Sequence, residues 1–482
     1  MTEKFGYDSF LSPFTWRYGS PEMRNVFSEI NYRAKWREVW QALAKAEYDY
    51  GLLSRAEFND IRKHASLGNI DIGRSQRIEK EIKHDVMAEI RTFASQAKIG
   101  GGKIHLGATS ADIEDNADML RTRDAIGIIL TRIVSILSIF EAKIRKYQSI
   151  PCMGWTHLQP AEPTTLGYRF AGYAQDLLID MQTMEFLLER VALGKGMKGA
   201  VGTSASYSRL VGKHKAQDLE KKVLEQLKLE AHPISTQTYP RKVDLLILSA
   251  LASIAQSVQK FAIDLRILQS PPFGEVSEPF NEKQVGSSAM PFKRNPMMAE
   301  RATSLARYVS SMPSIGMMNA SNTMLERTLD DSANRRIAIP EAFLALDECL
   351  ILYGRILSGM KISSHNVRRN LEKYGVFSLM EPIMMDLVKS GEDRQVVHEK
   401  FRVIASKAWT AVEKGDENPL GRMLLDDETL KKIYGKKLEK MLDPGVYVGD
   451  APLRTEKFLK KSISPILKKN KKLILKPRAP KY

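Results

Sequence analysis

The feature that most constrains this chain is a set of very long segments with helical periodicity and almost no interruption. From Val243 to Leu268 there is no Gly or Pro, and Leu245, Leu248, Leu251, Ala252, Ala255, Val258, Ala262 and Leu265 recur on one broad face. Comparable segments run from Asp112 to Tyr147, from Thr164 to Leu193 and from Pro340 to Leu357. Each exceeds an ordinary globular helix, and strand signals are scarce, so the periodicity predicts an all-α fold built on long helical staves. The apolar cover is wider than one helix-packing stripe needs, which predicts a homo-oligomeric bundle. The most apolar stretch, Ile126 to Phe140, is broken by Thr131 and Arg132 and reads as too short and too polar to span a bilayer.

Composition narrows the class. With 482 residues, 43% hydrophobic and 27% charged, the chain can bury a large core spread over about three domain-sized units. Cys152 and Cys349 cannot build a disulfide framework and lack metal-ligand spacing, which points to a reducing, cytoplasmic setting. Met1 to Phe10 has no apolar run and reads as neither a signal nor a transit peptide. The formal charge of +16 is concentrated at the C-terminal end, where ten lysines and arginines from Lys457 to Lys481 meet no acidic residue. No aromatic ladder or nucleic-acid module accompanies them, so this end reads as a solvated, partly disordered tail, without nucleic-acid binding.

Three glycine-punctuated loops separate the helices: Lys98 to Ser110, Gly194 to Ser206, and Pro271 to Pro296. Such loops on a rigid scaffold are where chemistry is presented. A glycine-rich stretch before Thr109 and a change of texture near Lys361 to His365 suggest boundaries. The expected division is an N-terminal domain over 1–109, a central bundle over 110–362 with a catalytic loop at 282–296, and a C-terminal domain over 363–482.

The most informative run is Gly286-Ser287-Ser288-Ala289-Met290-Pro291-Phe292-Lys293-Arg294-Asn295-Pro296. It combines hydroxyls, free backbone N–H groups and two cations, followed by a proline suited to a helix start. Its order resembles the Gly-Ser-Ser-x-Met-Pro-x-Lys-x-Asn-Pro signature of the fumarase/aspartase superfamily. That resemblance implies elimination of fumarate from a succinyl-bearing substrate, with Ser287 as general base and no metal or organic cofactor. Serine is a poor base in water, so pre-aimed donors and cations such as Lys293 and Asn295 would have to support its charge and that of the intermediate. Glu300 and Arg301, on the helix that follows, belong with this catalytic and binding set.

Further runs resemble the adenylosuccinate lyase family within that superfamily, along nearly the whole chain. Arg17-Tyr18-Gly19-Ser20 is similar to its phosphate-binding element, and Lys83-His84-Asp85-Val86-Met87-Ala88 to its Arg-His-Asp-Val-Met-Ala element, which implies a catalytic His84 in contact with substrate, oriented by Asp85, with Lys83 and Asp85 among the binding residues. His105-Leu106-Gly107-Ala108-Thr109-Ser110 matches a substrate loop in which Thr109 and Ser110 would bind a carboxylate; Ser110 also suits a helix N-cap. Thr156-His157-Leu158-Gln159-Pro160-Ala161 implies His157 as the acid that protonates the leaving nitrogen. Gln237 would contact the succinyl or amide group. Arg327, Ser332 and Arg336, in Glu326 to Arg336, would grip a nucleotide phosphate. The implied substrates are purine nucleotides, adenylosuccinate and the succinyl-aminoimidazole-carboxamide ribotide, on a homotetramer with shared sites.

Alternatives are another superfamily lyase, such as argininosuccinate lyase or a carboxymuconate cycloisomerase, and a non-catalytic nucleic-acid-binding protein on the same scaffold. Lys83 replaces the arginine of animal and fungal forms, Glu89 and Arg91 replace histidines, and the run Gly199 to Ser204 departs from Gly-Thr-Thr-Gly-Thr-Gln. These departures fall in regions expected to touch substrate.

Overall fold

The computed structural model describes residue 6 and residues 8–475. The expectation about Met1 to Phe10 therefore rests partly on residues outside that set, as do Lys476, Arg478 and Lys481 of the basic end. Helices dominate, and the described strands form two two-stranded sheets. The long helices are Ser110–Tyr147, Leu166–Arg190, Lys242–Gln269 and Asp330–Gly359. The last begins ten residues before the segment read from sequence, because the helix runs through Pro340. A proline there cannot donate to the carbonyl four residues back, so the Arg336 carbonyl lacks that bond.

The chain divides into two compact units: Met1–Arg132 with Ile179–Gln259 and Ala302–Ile351, and Ile133–Leu178 with Lys260–Arg301 and Leu352–Tyr482. In the first, helix Glu29–Asp49 buries Trp36, Trp40 and Leu43, and Trp40 meets Phe93 at 6.1 Å. Helix Pro313–Asn322 lies close against helix Lys242–Gln269, since a Cβ on Gly316 would sit 2.9 Å from the Leu245 Cα. In the second unit Phe261 stacks on Tyr353 at 4.2 Å, and Phe140 meets Tyr353 edge-on at 5.9 Å. A C-terminal cluster of Leu379, Ile383, Phe401, Leu420, Leu424 and Leu430 completes that unit's core.

Two sequence expectations change. Helices Ser110–Tyr147 and Lys242–Gln269 are long and apolar enough to cross a membrane by length and composition, so the stretch at Ile126 to Phe140 is not too short once its flanks are counted. Its residues Ile126, Ile129, Ile133, Leu137 and Phe140 are nonetheless buried in the protein, and Arg132 is answered by Asp347 at 2.9 Å, as in a core helix. The basic end, in turn, is ordered in its described part. Leu459, Ile463 and Leu467, four residues apart, bury one face of a helical run that carries Lys460, Lys461, Lys468 and Lys469 outward.

Candidate active site

In the second unit, the glycine-serine loop is pinched at its base. The Asn295 side chain donates to the Gly286 carbonyl at 3.0 Å, the Gln269 amide donates to the Arg294 carbonyl at 3.1 Å, and the Arg294 guanidinium lies 5.3 Å from the Phe280 ring. Gly286 is required at the pinch, because a Cβ there would come within 2.0 Å of the Lys293 carbonyl. Above it the half-buried Ser287 folds its hydroxyl back. Its Oγ accepts the N–H of Ala289 at 3.3 Å and of Met290 at 3.1 Å. Two backbone donors on one oxygen favour negative charge there. Lys293 is exposed, and its N–H donates to the Met290 carbonyl at 3.0 Å.

The helix that follows, Met297–Ser311, is capped by Glu278, whose carboxylate accepts from Met298 and Ala299 at 3.2 and 3.1 Å. Glu300 and Arg301 stand exposed in its first turns, with Glu300 at 4.0 Å from Arg266.

His157 occupies a position that periodicity did not reveal. Strands Pro151–Thr156 and Gln159–Thr165 pair antiparallel with Thr156 opposite Gln159, leaving His157 and Leu158 as a two-residue turn. Their φ values are 55° and 60°, the left-handed region that type I′ hairpin turns demand and that neither residue favours. Trp155 anchors the hairpin, meeting Phe273 at 4.8 Å and Tyr374 at 5.6 Å, while Arg169 donates to the Met153 carbonyl at 2.6 Å and to Glu275 at 3.0 Å. The hairpin escaped the sequence reading because Pro151, Gly154, Pro160 and Pro163 hide a strand signal. The strain at an exposed histidine is of the kind stored at functional sites.

The first unit gathers the other candidates. His84 is the N-cap of helix Asp85–Gln96, its Nδ1 accepting the Met87 N–H at 3.4 Å, which in the neutral ring leaves the proton on Nε2. Lys83, beside it, is exposed in a left-handed conformation at φ 58°. Asp85 accepts from Arg336 at 2.7 Å, so two motifs 251 residues apart meet. Burial pushes the Asp85 carboxyl up, but the bond and charge of Arg336 hold it below its usual range. Arg327 pairs with Asp331 at 2.8 Å. Arg327, Ser332 and Arg336 line a cavity of about 220 Å³ with Tyr32, Glu114 and Arg241.

Elsewhere in this unit Gln237 donates its amide to the Ala200 carbonyl at 3.2 Å. Arg17 lies over Trp16 and Tyr18 at 5.6 and 5.9 Å. Ser110 is the first residue of its helix, which leaves the cap position to Thr109, whose N–H donates to Asp112 at 3.0 Å.

Glu114 was not singled out from sequence. Burial, with Asp85, Asp118 and Asp115 close by, pushes its carboxyl from 4.5 up to about 8, although Arg336 opposes this. The folded protein therefore holds Glu114 protonated where the unfolded chain ionises. Its contribution to stability is full below about 4.5 and falls as pH rises to about 8. Thermal melts of Glu114→Gln across that range are expected to show a flatter pH dependence than the parent; an unchanged slope would refute the assignment.

Two buried pairs were also missed. Asp112 accepts from the N–H groups of Lys198 and Gly199 at 3.2 and 3.1 Å and from the Tyr207 hydroxyl at 3.2 Å, and it pairs with the fully buried Lys195. It thereby ties the 194–206 loop to the start of the first long helix. Glu89, placed by sequence in a substrate-contact region, is instead wholly buried against Arg37 at 2.8 Å, and so belongs to the core. Nothing in the spacing of a charged residue tells which partner the fold will bring to it. Among the described residues no group of three or more His, Cys, Asp or Glu side chains is placed to hold a metal ion.

A family model described as lyase matches residues 17–310, and one described as adenylosuccinate lyase C-terminus matches residues 377–458. The adenylosuccinate lyase of Saccharomyces cerevisiae is 39% identical over 467 residues, covering 96% of each chain. The chain belongs to the adenylosuccinate lyase family. The adenylosuccinate lyase of Schistosoma mansoni is 38% identical with 96% of each chain covered, and that of Pyrococcus abyssi is 36% identical with 92% of this chain and 95% of its own covered.

Among solved structures, the 3-carboxy-cis,cis-muconate lactonizing enzyme of Pseudomonas putida superposes with a TM-score of 0.81 at 25% identity, covering 93% of this chain and 98% of its own. A Mesorhizobium fumarate lyase gives 0.80, also at 25% identity, over 92% and 98%. This chain thus shares its helical architecture with both enzymes. The segment from Arg327 to Arg336 falls between the two matched family segments, within the span of chain that the full-length relatives cover.

Proposed function

We propose that this chain releases fumarate from adenylosuccinate, giving AMP, and from succinyl-aminoimidazole-carboxamide ribotide, giving the free carboxamide ribotide. The observation that carries the mechanism is the Ser287 Oγ receiving two backbone N–H groups in a cationic, glycine-pinched loop. Ser287, acting as the alkoxide that the backbone N–H donors and the loop cations favour, takes the proton from the carbon beside a succinyl carboxylate and becomes the neutral hydroxyl. The electron pair passes into that carboxylate and returns to form the fumarate double bond as the C–N bond breaks. His157 gives a proton to the departing nitrogen. Lys293 and Asn295 stabilise the doubly charged intermediate, with Glu300 completing the loop's charge balance and Arg301 binding a carboxylate.

In the first unit, Thr109, Ser110, Gln237 and His84 contact the succinyl end, with Lys83 and Asp85 beside them. Arg17, Tyr18, Arg327, Ser332 and Arg336 hold the phosphate. The convergence of Asp85, Arg327, Ser332 and Arg336 supports this division of labour.

The same reading includes the three-domain division at 109 and 362, a cytoplasmic homotetramer, and sites shared between subunits. Exposed apolar residues on the long helices, Ile179 and Phe186 at 52% and 58%, support a subunit contact. Size-exclusion chromatography with light scattering measures the assembly, and a monomer would refute it. Fumarate formation followed by absorbance tests the activity, with argininosuccinate as a rival fumarate-releasing substrate and loss of carboxymuconate absorbance as the separate test of a lactonizing activity. His157→Asn is expected to lower kcat by about 10²–10⁴-fold in that assay, and a near-normal rate would remove His157 from the mechanism.

A further inference from the structure

Arg241 lies four residues after Gln237 and lines the same cavity as Arg327, Ser332 and Arg336, yet it has no task in the proposed chemistry. Its side chain is 2% exposed; it hydrogen-bonds two carboxylates from distant parts of the chain and lies 4.6 Å from the Tyr239 ring. Nη1 and Nη2 grip both oxygens of Asp115 at 3.1 Å each, and Nε donates to Asp331 Oδ2 at 2.6 Å. The other oxygen of Asp331 accepts from Arg327 Nη1 at 2.8 Å. Asp115 in addition accepts the Tyr239 N–H at 2.8 Å, so the same carboxylate steadies the loop that carries Gln237.

Asp115, Arg241, Asp331 and Arg327 therefore form a continuous relay, of which Asp115, Arg241 and Arg327 line the cavity while Asp331, which also lies 4.0 Å from Arg335 Nε, links the two arginines. Asp331 is 1% exposed and Arg327 is 22% exposed, so the relay begins in the core and ends where a ligand can reach it. Only a planar fork can hold one carboxylate with two donors and a second with its Nε–H.

We propose that Arg241 is a positioning residue for the nucleotide phosphate, fixing Asp331 and through it the Arg327 guanidinium in the orientation that grips the phosphate. This rests on the function proposed above. Arg241→Lys keeps the charge and loses the fork. Its KM for adenylosuccinate is expected to rise about tenfold with kcat within about twofold, whereas kcat/KM for the succinyl nucleoside lacking the phosphate stays within about twofold of the parent. In Arg327→Ala the added Arg241→Lys change is expected to do nothing more to KM.

Equal losses on nucleotide and nucleoside, or additive effects with Arg327→Ala, would show a merely structural role and overturn the proposal. If Arg241→Lys fails the circular-dichroism check for folding, Asp331→Asn, which preserves volume, is read by the same split and the same two outcomes. A parent protein that releases no fumarate from adenylosuccinate overturns the functional reading itself, and is distinguished by the parent assay alone.

Discussion

Replacing Ser287 by alanine is expected to reduce fumarate release by about 10³-fold or more in kcat while leaving KM nearly unchanged. Only one oxygen is removed, from a half-buried position, so the scaffold should be untouched. The lost atom is the one on which the loop converges: Oγ accepts from Ala289 and Met290, and the pinch made by Asn295 and Gly286 holds those N–H groups in place. These donors matter most once the hydroxyl carries negative charge, so their contribution is larger at the transition state than in the resting protein. Stopped-flow absorbance of fumarate, with circular dichroism to verify folding, measures the effect. A variant that retains a tenth of the parent rate would exclude Ser287 as the base.

The largest expected loss of stability follows from Asp112→Ala, at about 3–5 kcal/mol. Asp112 and Lys195 are both fully buried, and removing the carboxylate strands an ammonium in the core. It also frees the Lys198, Gly199 and Thr109 N–H groups and the Tyr207 hydroxyl, each of which loses its acceptor. Urea unfolding at fixed protein concentration measures this, since assembly would make the midpoint concentration-dependent. Pairing Asp112→Leu with Lys195→Met removes the stranded charge and is expected to restore about half of the loss. A single variant that costs less than about 1 kcal/mol would show that the pair is not the anchor of the 194–206 loop.

The local order of residues was enough to identify what repeats or what stands in one run. The long helices were legible because a 3.6-residue period over two dozen positions is a local signal, and helix Lys242–Gln269 appears within a residue of its expected ends. The serine loop was legible because its whole chemistry lies within eleven consecutive residues. Helix Asp330–Gly359 was only half legible, since Pro340 marks a helix start by local rules and the surrounding packing carries the helix through it.

Tertiary structure decided everything that depends on residues far apart in the chain. His157 was identified by its motif, but its place on a strained two-residue turn required the hairpin to be seen. Glu89 lies in a run expected to touch substrate, yet the fold pairs it in the core with Arg37, 52 residues away. Arg241, Asp115 and Asp331 are charged residues of unremarkable spacing, and only folding shows that they are one relay. The reason is the same in each case. Periodicity and motif order are set by bonds along the backbone, whereas the partner of a buried charge is set by desolvation, which forces it to find an opposite charge wherever the fold supplies one.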